Sequence, residues 1–112
     1  MARIELQDFV QFGQLFEVYG KLLSDDRQKI MVSYFEFNMT LAEIAQERCI
    51  SRQAVLDAIL KSCQKLRSLE DALGIVAKRQ KLSNGLTEIL ETARRNGQTE
   101  IVTKVEKILK EI

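Results

Sequence analysis

The sequence predicts an all-helical protein. None of the 112 residues is proline and only five are glycine, so few positions force a helix to end. Apolar residues recur at spacings of three and four along most of the chain, which is the periodicity of amphipathic helices. They make up 46% of the residues, enough for a packed core. At this length we expect one small domain followed by a helical extension.

Two helices are predicted in the N-terminal part. The first is expected from Asp8 to Leu23, because its apolar and aromatic side chains fall on one face. The second begins at Ser24 or Asp25, where a capping residue precedes carboxylates at the positive end of the helix dipole. It is expected to end at residues 38–40. The residues that define the two inner faces are Phe9, Phe12, Phe16, Tyr19 and Leu23 in the first helix, and Ile30, Met31, Tyr34 and Phe35 in the second.

A third and a fourth helix follow. Thr40 and Glu43 match the capping box that opens a helix. Ser51 caps the fourth helix, which meets no helix breaker before Gly74. Its heptad-like apolar seam needs a covering helix, and we expect the seam from residue 59 to residue 93 to be buried against a second chain. The seam begins with Val55, Ile59, Ser62, Leu66, Leu69 and Leu73.

The C-terminal part predicts two further helices. One is expected to run from Ile75 to Arg95 through residues 83–85, because a glycine inside a helix costs only about 1 kcal/mol relative to alanine. Asn96 and Gly97 suit a left-handed cap at its end, and Thr99 starts the last helix. The expected organisation is a domain of residues 1–72 and a helical extension of residues 73–112, packed on that domain or on a second chain.

Residues 41–58 match a helix-turn-helix. This motif needs two helices near a right angle, joined by about three residues. Ala45 supplies a small side chain where the helices cross, and Val55 supplies a buried branched side chain. Residues 49–51 form the tight turn, with Ile50 expected in the core. The fold class is therefore a helix-turn-helix with a long C-terminal helical extension.

The N-terminus of the fourth helix is the candidate nucleic-acid-binding site. Its amides attract phosphate through the helix dipole, and side chains in its first turn lie where base edges are read. Asp57 would repel phosphates but can accept from a cytosine amino group. The candidate residues are Thr40, Ser51, Arg52, Gln53, Asp57, Lys61 and Lys65. Because these include few cations, we do not expect a tight monomeric repressor. A homodimer would double the contacts, and exposed Leu56 and Leu60 would equally suit a protein partner.

Composition excludes several other functions. The chain has no histidine, which removes the common zinc sites and His-based catalysis. Cys49 and Cys63 match neither a disulfide framework nor a CxxC motif. We expect no enzyme activity, catalytic residue, metal or cofactor. No apolar run approaches the ~20 residues that span a bilayer, and residues 1–5 lack a signal peptide pattern, so we expect a cytoplasmic protein without membrane contact.

Charge is unevenly distributed although the net charge is only +1. Residues 1–50 carry five bases and eight acids, whereas residues 76–112 carry eight bases and five acids. Such asymmetry marks either a face for nucleic acid or an acidic partner, or simply a mixed solvated surface.

Residues 23–30, 40–45 and 50–55 resemble the C-terminal region 4 domain of sigma factors. The pair of segments 41–45 and 50–55 is similar to the YlxM family, small bacterial helix-turn-helix proteins encoded beside the signal recognition particle GTPase. Phe16, Tyr19, Leu22 and Leu23 also suit that family. The resemblance implies a sigma-region-4-like fold and a regulatory role in the signal recognition particle pathway, through contact with its RNA or its GTPase.

Two positions depart from the family pattern. Cys49 stands where the family usually has glycine, and Arg48 stands where it usually has an apolar residue. A positive φ at Cys49 would strain the turn. Three functions remain open: a nucleic-acid-binding protein of the signal recognition particle pathway, a DNA-binding transcription regulator, or a protein-interaction module that retains the helix-turn-helix shape.

Overall fold

The computed structural model describes residues 6–112, with side chains from Phe9 onward. The segment of residues 1–5, expected to lack a signal peptide, lies outside the described residues. Throughout the described part, every regular element is helical, which confirms the predicted all-α class. The elements are α1 (Leu6–Tyr19), a 3₁₀ turn (Gly20–Leu22), α2 (Asp25–Phe35), α3 (Leu41–Arg48), α4 (Arg52–Leu73), α5 (Ile75–Arg95) and α6 (Thr99–Glu111).

Most predicted helix limits are confirmed, including the unbroken α5 across residues 83–85. The first helix differs, because its regular part ends at Tyr19 and the chain tightens into the 3₁₀ turn. Gly20 allows this, since a Cβ at that position would lie 3.1 Å from the ring of Phe16. The Leu23 amide donates to the Gly20 carbonyl at 3.0 Å and closes the turn.

Side-chain caps begin α2 and α3 as the sequence predicts. The Ser24 hydroxyl accepts from the Arg27 amide at 3.3 Å. Thr40 and Glu43 form the complete capping box, each side chain accepting from the other residue's amide at 3.1 Å. Each cap satisfies amides that the first turn of a helix leaves unpaired, so both helix starts are fixed by local sequence.

The described residues form two compact units, divided between Leu73 and Gly74. In the N-terminal unit, α4 packs against α1, α2 and α3. The side chains at its centre are almost completely buried: Tyr19, Met31, Ile44, Val55, Ile59 and Leu66. Two polar contacts fasten α1 to α4, a hydrogen bond of 2.6 Å from the Tyr19 hydroxyl to Glu70 and the Arg67 guanidinium 4.7 Å from the centre of the Phe12 ring.

The expectation that a second chain covers the α4 seam is wrong for its first half. Val55, Ile59, Ser62 and Leu66 are buried within their own unit, because α1, α2 and α3 together cover that face of α4. The seam becomes exposed only at the end of α4, where Leu73 is 49% exposed. In this first half the apolar pattern marks an internal core.

The C-terminal unit is a helical hairpin of α5 and α6. A short connection at residues 96–98 makes the two helices antiparallel neighbours. Leu90, Ala93 and Val105 are buried, and Arg79 donates to the carbonyl of Ile112 at 2.9 Å. None of the helices described has the length and apolar character required to cross a membrane.

Candidate nucleic-acid interface

The turn between α3 and α4 is a Schellman cap. The Ile50 amide donates to Ala45 at 3.1 Å, and the Cys49 amide to Gln46 at 3.4 Å, which is the pattern of that motif. Cys49 has φ 57° and ψ 42°, the left-handed region. The strain anticipated at this non-glycine residue is therefore present, at a cost of about 1 kcal/mol.

The crossing of α3 and α4 is built on two of the three side chains expected there. Ala45 is 6% exposed and Val55 is fully buried. Ile50 is 40% exposed, so its expected place in the core is wrong. Ile50 follows the left-handed residue of the cap. An apolar side chain at that position commonly packs on the last turn of the helix, at the surface of the protein. The crossing therefore depends on the Ala45 and Val55 positions.

Ser51 starts α4 and leaves its tip open. The Ser51 hydroxyl accepts from the Ala54 amide at 3.0 Å, and its carbonyl accepts from the Val55 amide at 3.1 Å. The side chains of Ser51, Arg52 and Gln53 are exposed. The first amides of a helix have no partner inside it and carry partial positive charge, so this tip can receive an anion beside the Arg52 guanidinium.

The outward face of α4 carries an ion pair. Lys61 lies 3.1 Å from Asp57, and both side chains are more than half exposed. The pair offsets the negative charge of Asp57 that would repel phosphates, but it also engages the lysine expected to attract them. Gln53 and Leu60 share this face, since Val55 and Ile59 occupy the opposite one.

Lys65 is not brought to the tip of α4. Its ammonium donates to the carbonyl of Leu22, the last residue of the 3₁₀ turn, at 3.1 Å. At 1.5 Å per residue, Lys65 lies about 20 Å along α4 from Arg52. In this structure it therefore ties α4 to the end of the first helix.

Thr40 lies at the N-terminus of the other helix of the motif. Its hydroxyl is exposed and accepts from Glu43 in the capping box. The hydrogen bonds from the Thr40 amide and hydroxyl hold the pKa of Glu43 below its usual 4.5. The Glu43 carboxylate is thus ionised at neutral pH, and it would oppose a phosphate at this helix end.

Arg48 has a role that sequence reasoning missed. Its guanidinium forms an ion pair of 2.8 Å with Asp26, at side-chain exposures of 23% and 83%. This pair connects the end of α3 to the start of α2. The Asp26 carboxylate thus gives a cation at position 48 an ion-pair partner. The only signal in the sequence is the acidic pair Asp25 and Asp26, which the helix dipole already explains and which therefore did not point to Arg48.

The charge of the N-terminal unit is unusual for a protein that binds nucleic acid by charge alone. Residues 1–73 contain nine bases and eleven acids, a net charge of −2, whereas residues 74–112 carry +3. Non-specific affinity for duplex DNA comes from neutralised phosphates. The helix-turn-helix unit therefore has little general attraction for a duplex, and binding of a duplex by this unit would have to depend on the tip of α4.

The part of the chain that the structure describes contains no cluster of candidate metal ligands. No group of three or more histidine, cysteine, aspartate or glutamate side chains there could hold a metal ion. Cys49 is exposed and Cys63 is buried in α4. Around the candidate site lie the exposed N-terminus of α4, the Ser51 hydroxyl, the Arg52 guanidinium, the Gln53 amide and the ion pair of Asp57 and Lys61.

A capped α3, a three-residue turn and an α4 with an exposed tip define a helix-turn-helix protein. Residues 6–108 match the UPF0122 family, described as "Putative helix-turn-helix protein, YlxM / p13 like", and the chain belongs to that family. It is similar to a UPF0122 protein of a Thermoanaerobacter species, at 34% identity over 94% of this chain and 93% of the relative.

Other family members are similar over most of their length. A UPF0122 protein of Symbiobacterium thermophilum is 36% identical over 80% of this chain and 84% of its own. One from Fusobacterium nucleatum is 29% identical over 87% of this chain and 94% of its own. The similarity therefore extends through both units and includes the α5–α6 hairpin.

Proposed function

We propose that this protein acts by binding nucleic acid through the tip of α4, and that its target is the RNA of the signal recognition particle. The observation that carries the proposal is the exposure of Ser51, Arg52 and Gln53 on a helix start fixed by the buried crossing of Ala45 and Val55. A rigid, uncovered helix tip is the part of this motif that contacts base edges and phosphates.

The chemistry of the tip suits a small number of directional contacts. The free amides of the first turn and Arg52 can hold one phosphate. Gln53 can make a bidentate contact with adenine, and Asp57 can accept from cytosine. The Glu43 carboxylate at the start of α3 opposes a second phosphate there. Binding is therefore expected to depend on base contacts more than on charge.

This balance favours structured RNA over duplex DNA. RNA loops present unpaired bases that can be stacked on a guanidinium and hydrogen-bonded on their edges, and such recognition needs fewer phosphate contacts than a duplex. The net charge of −2 of the N-terminal unit points the same way. The choice of the signal recognition particle RNA rests on the resemblance to YlxM proteins, whose genes lie beside that particle's GTPase.

The test compares two labelled ligands by fluorescence anisotropy at two salt concentrations: signal recognition particle RNA and duplex DNA of random sequence and equal length. We expect tighter binding to the RNA with a shallow salt dependence. Replacing both Arg52 and Gln53 by alanine should weaken RNA binding at least tenfold, since each bidentate contact is worth about 1–3 kcal/mol.

Lys21→Ala is the matched control, because it removes one exposed positive charge from the same unit, in the 3₁₀ turn beside Lys65 and not at the tip of α4. It should leave the affinity nearly unchanged. A steep salt dependence with duplex DNA alone would replace the proposal by transcription regulation. Binding to neither ligand would indicate a protein partner, such as the particle's GTPase, for which Leu60 offers an apolar contact, 41% exposed.

A further inference from the structure

The α5–α6 hairpin exposes large apolar side chains on one side. Leu82 and Ile89 on α5 are 60% and 51% exposed, and Ile101 and Ile108 on α6 are 39% and 47% exposed. Within each pair the residues are seven positions apart, so each pair lies along one stripe of its helix. Ile89 and Ile101 line the same groove, which places the two stripes on the same side of the hairpin.

The hairpin buries little apolar surface in its own interior. Only Leu90, Ala93 and Val105 of the described residues 74–112 are buried core side chains. Helical units of fewer than about forty residues usually need a partner, a metal or disulfides for stability. No disulfide is present, and the exposed stripes are the apolar surface that a partner would cover.

We propose that the partner is a second copy of this chain, with α5 lying antiparallel to α5 of that copy around a two-fold axis near residues 84 and 85. Two hairpins joined in this way form a four-helix bundle. This inference goes beyond the proposed function, because it concerns the oligomeric state of the protein and is tested by measuring the mass of the particle in solution. The sequence predicts self-association through the apolar seam that starts in α4. The proposed contact lies on α5 instead, because the first half of that seam is buried within its own unit.

Charge complementarity supports a second copy as the occupant. Lys81 and Glu88 flank the Leu82–Ile89 stripe on one edge of α5 and are exposed. Their positions are symmetric about the point between residues 84 and 85. An antiparallel pairing centred there lays Lys81 beside Glu88 of the partner subunit, and the two-fold axis repeats the ion pair. Neither residue has an ion-pair partner among the described residues of its own chain.

Gly85 lies close to the proposed axis. A glycine in mid-helix weakens the helix relative to alanine, yet a Cβ placed at Gly85 would meet nothing within 4 Å. Packing within the chain therefore gives no reason for a glycine there. Close approach of a second helix gives one, because it needs a missing side chain near the crossing point.

The test measures the mass of the full chain by sedimentation velocity at micromolar concentration. The wild type is expected to be a dimer. Leu82→Lys should weaken the dimer at least a hundredfold, because the two-fold axis places two leucines in the contact, and circular dichroism should show unchanged helix content. Val10→Lys is the matched control, since Val10 is 61% exposed on α1 and should leave the mass unchanged.

A charge exchange tests the antiparallel arrangement. Lys81→Glu and Glu88→Lys should each weaken the dimer about three- to tenfold, and the double variant should restore it. Residues seven apart on one helix do not contact each other, so restoration requires a pairing between subunits. A monomeric wild type, a dimer unaffected by Leu82→Lys, or a double variant weaker than both single variants would each overturn the proposal.

Discussion

The two units of the chain differ in how completely each fills its own interior. In the N-terminal unit, α4 is covered by α1, α2 and α3, and side chains such as Ile59 and Leu66 are fully buried. In the C-terminal hairpin, two helices share a small core around Leu90, and Leu82 is 60% exposed. The first unit also carries a net negative charge and the second a net positive charge.

This difference suggests a division of roles: the N-terminal unit presents the candidate binding site, and the C-terminal hairpin serves assembly. A helix that presents a binding tip must hold one orientation, and close packing of its inner face supplies that rigidity. A hairpin with exposed apolar stripes can gain stability from a partner instead. The two units can therefore be tested separately, by mutations whose expected effects decrease from the core to the helix caps.

The largest effect is expected from a cavity in the N-terminal core. Leu66→Ala should lower the free energy of unfolding by about 4 kcal/mol, whereas Leu90→Ala in the hairpin should lower it by about 2 kcal/mol, since a small core collapses more easily around a deletion. Urea unfolding followed by circular dichroism measures both. For Leu66→Ala, tyrosine fluorescence adds a local readout, because both tyrosines lie in the N-terminal unit. Equal losses would contradict the difference between the units.

A smaller effect is expected where the two units use the same helix cap with different residues. The ends of α3 and α5 both show the Schellman hydrogen bonds, with Cys49 at φ 57° in one and Gly97 at φ 68° in the other. Cys49→Gly should raise the free energy of unfolding by about 1 kcal/mol, and Gly97→Ala should lower it by a similar amount.

Thermal unfolding of the two single variants and their combination tests this expectation. Because the two caps share no partner, each change should be the same in the double variant as in the single variant. A destabilised Cys49→Gly variant would show that the cysteine makes a compensating contact. In that case, Gly97→Ala would still measure the free-energy cost of a side chain at a position with positive φ.

Helix positions could be predicted from the sequence because the signals are local. Thr40, Glu43 and Ser51 define helix starts by hydrogen bonds to amides three residues away, and the absence of proline leaves α5 unbroken. The covering of the α4 seam was not predictable in this way. A heptad pattern shows that a face is buried, but it does not show whether the same chain or another covers it.

The candidate site was predictable only in part for the same reason. Ser51, Arg52 and Gln53 follow from the position of a helix start. The ion pair of Arg48 with Asp26 and the hydrogen bond of Lys65 to Leu22 join residues 22 and 43 positions apart. Such contacts depend on how the helices pack, so sequence spacing could not distinguish a structural cation from one available to a ligand.

The smallest effect is expected at the cap of α3, whose counterpart in the hairpin, the start of α6, has no side-chain cap. The pKa of Glu43 is lowered in the folded chain by its hydrogen bonds to Thr40. Its contribution to stability is therefore complete at a pH above the usual 4.5 and is lost as the pH falls through the lower folded-state pKa. Glu43→Gln should be slightly less stable than wild type at neutral pH and equally stable at low pH, measured by urea unfolding across that range. Thr40→Val removes only the hydroxyl and should reduce the same pH-dependent difference without abolishing it, because the hydrogen bond from the amide of residue 40 to the Glu43 carboxylate remains. A difference that persisted at low pH would place its origin outside the capping box.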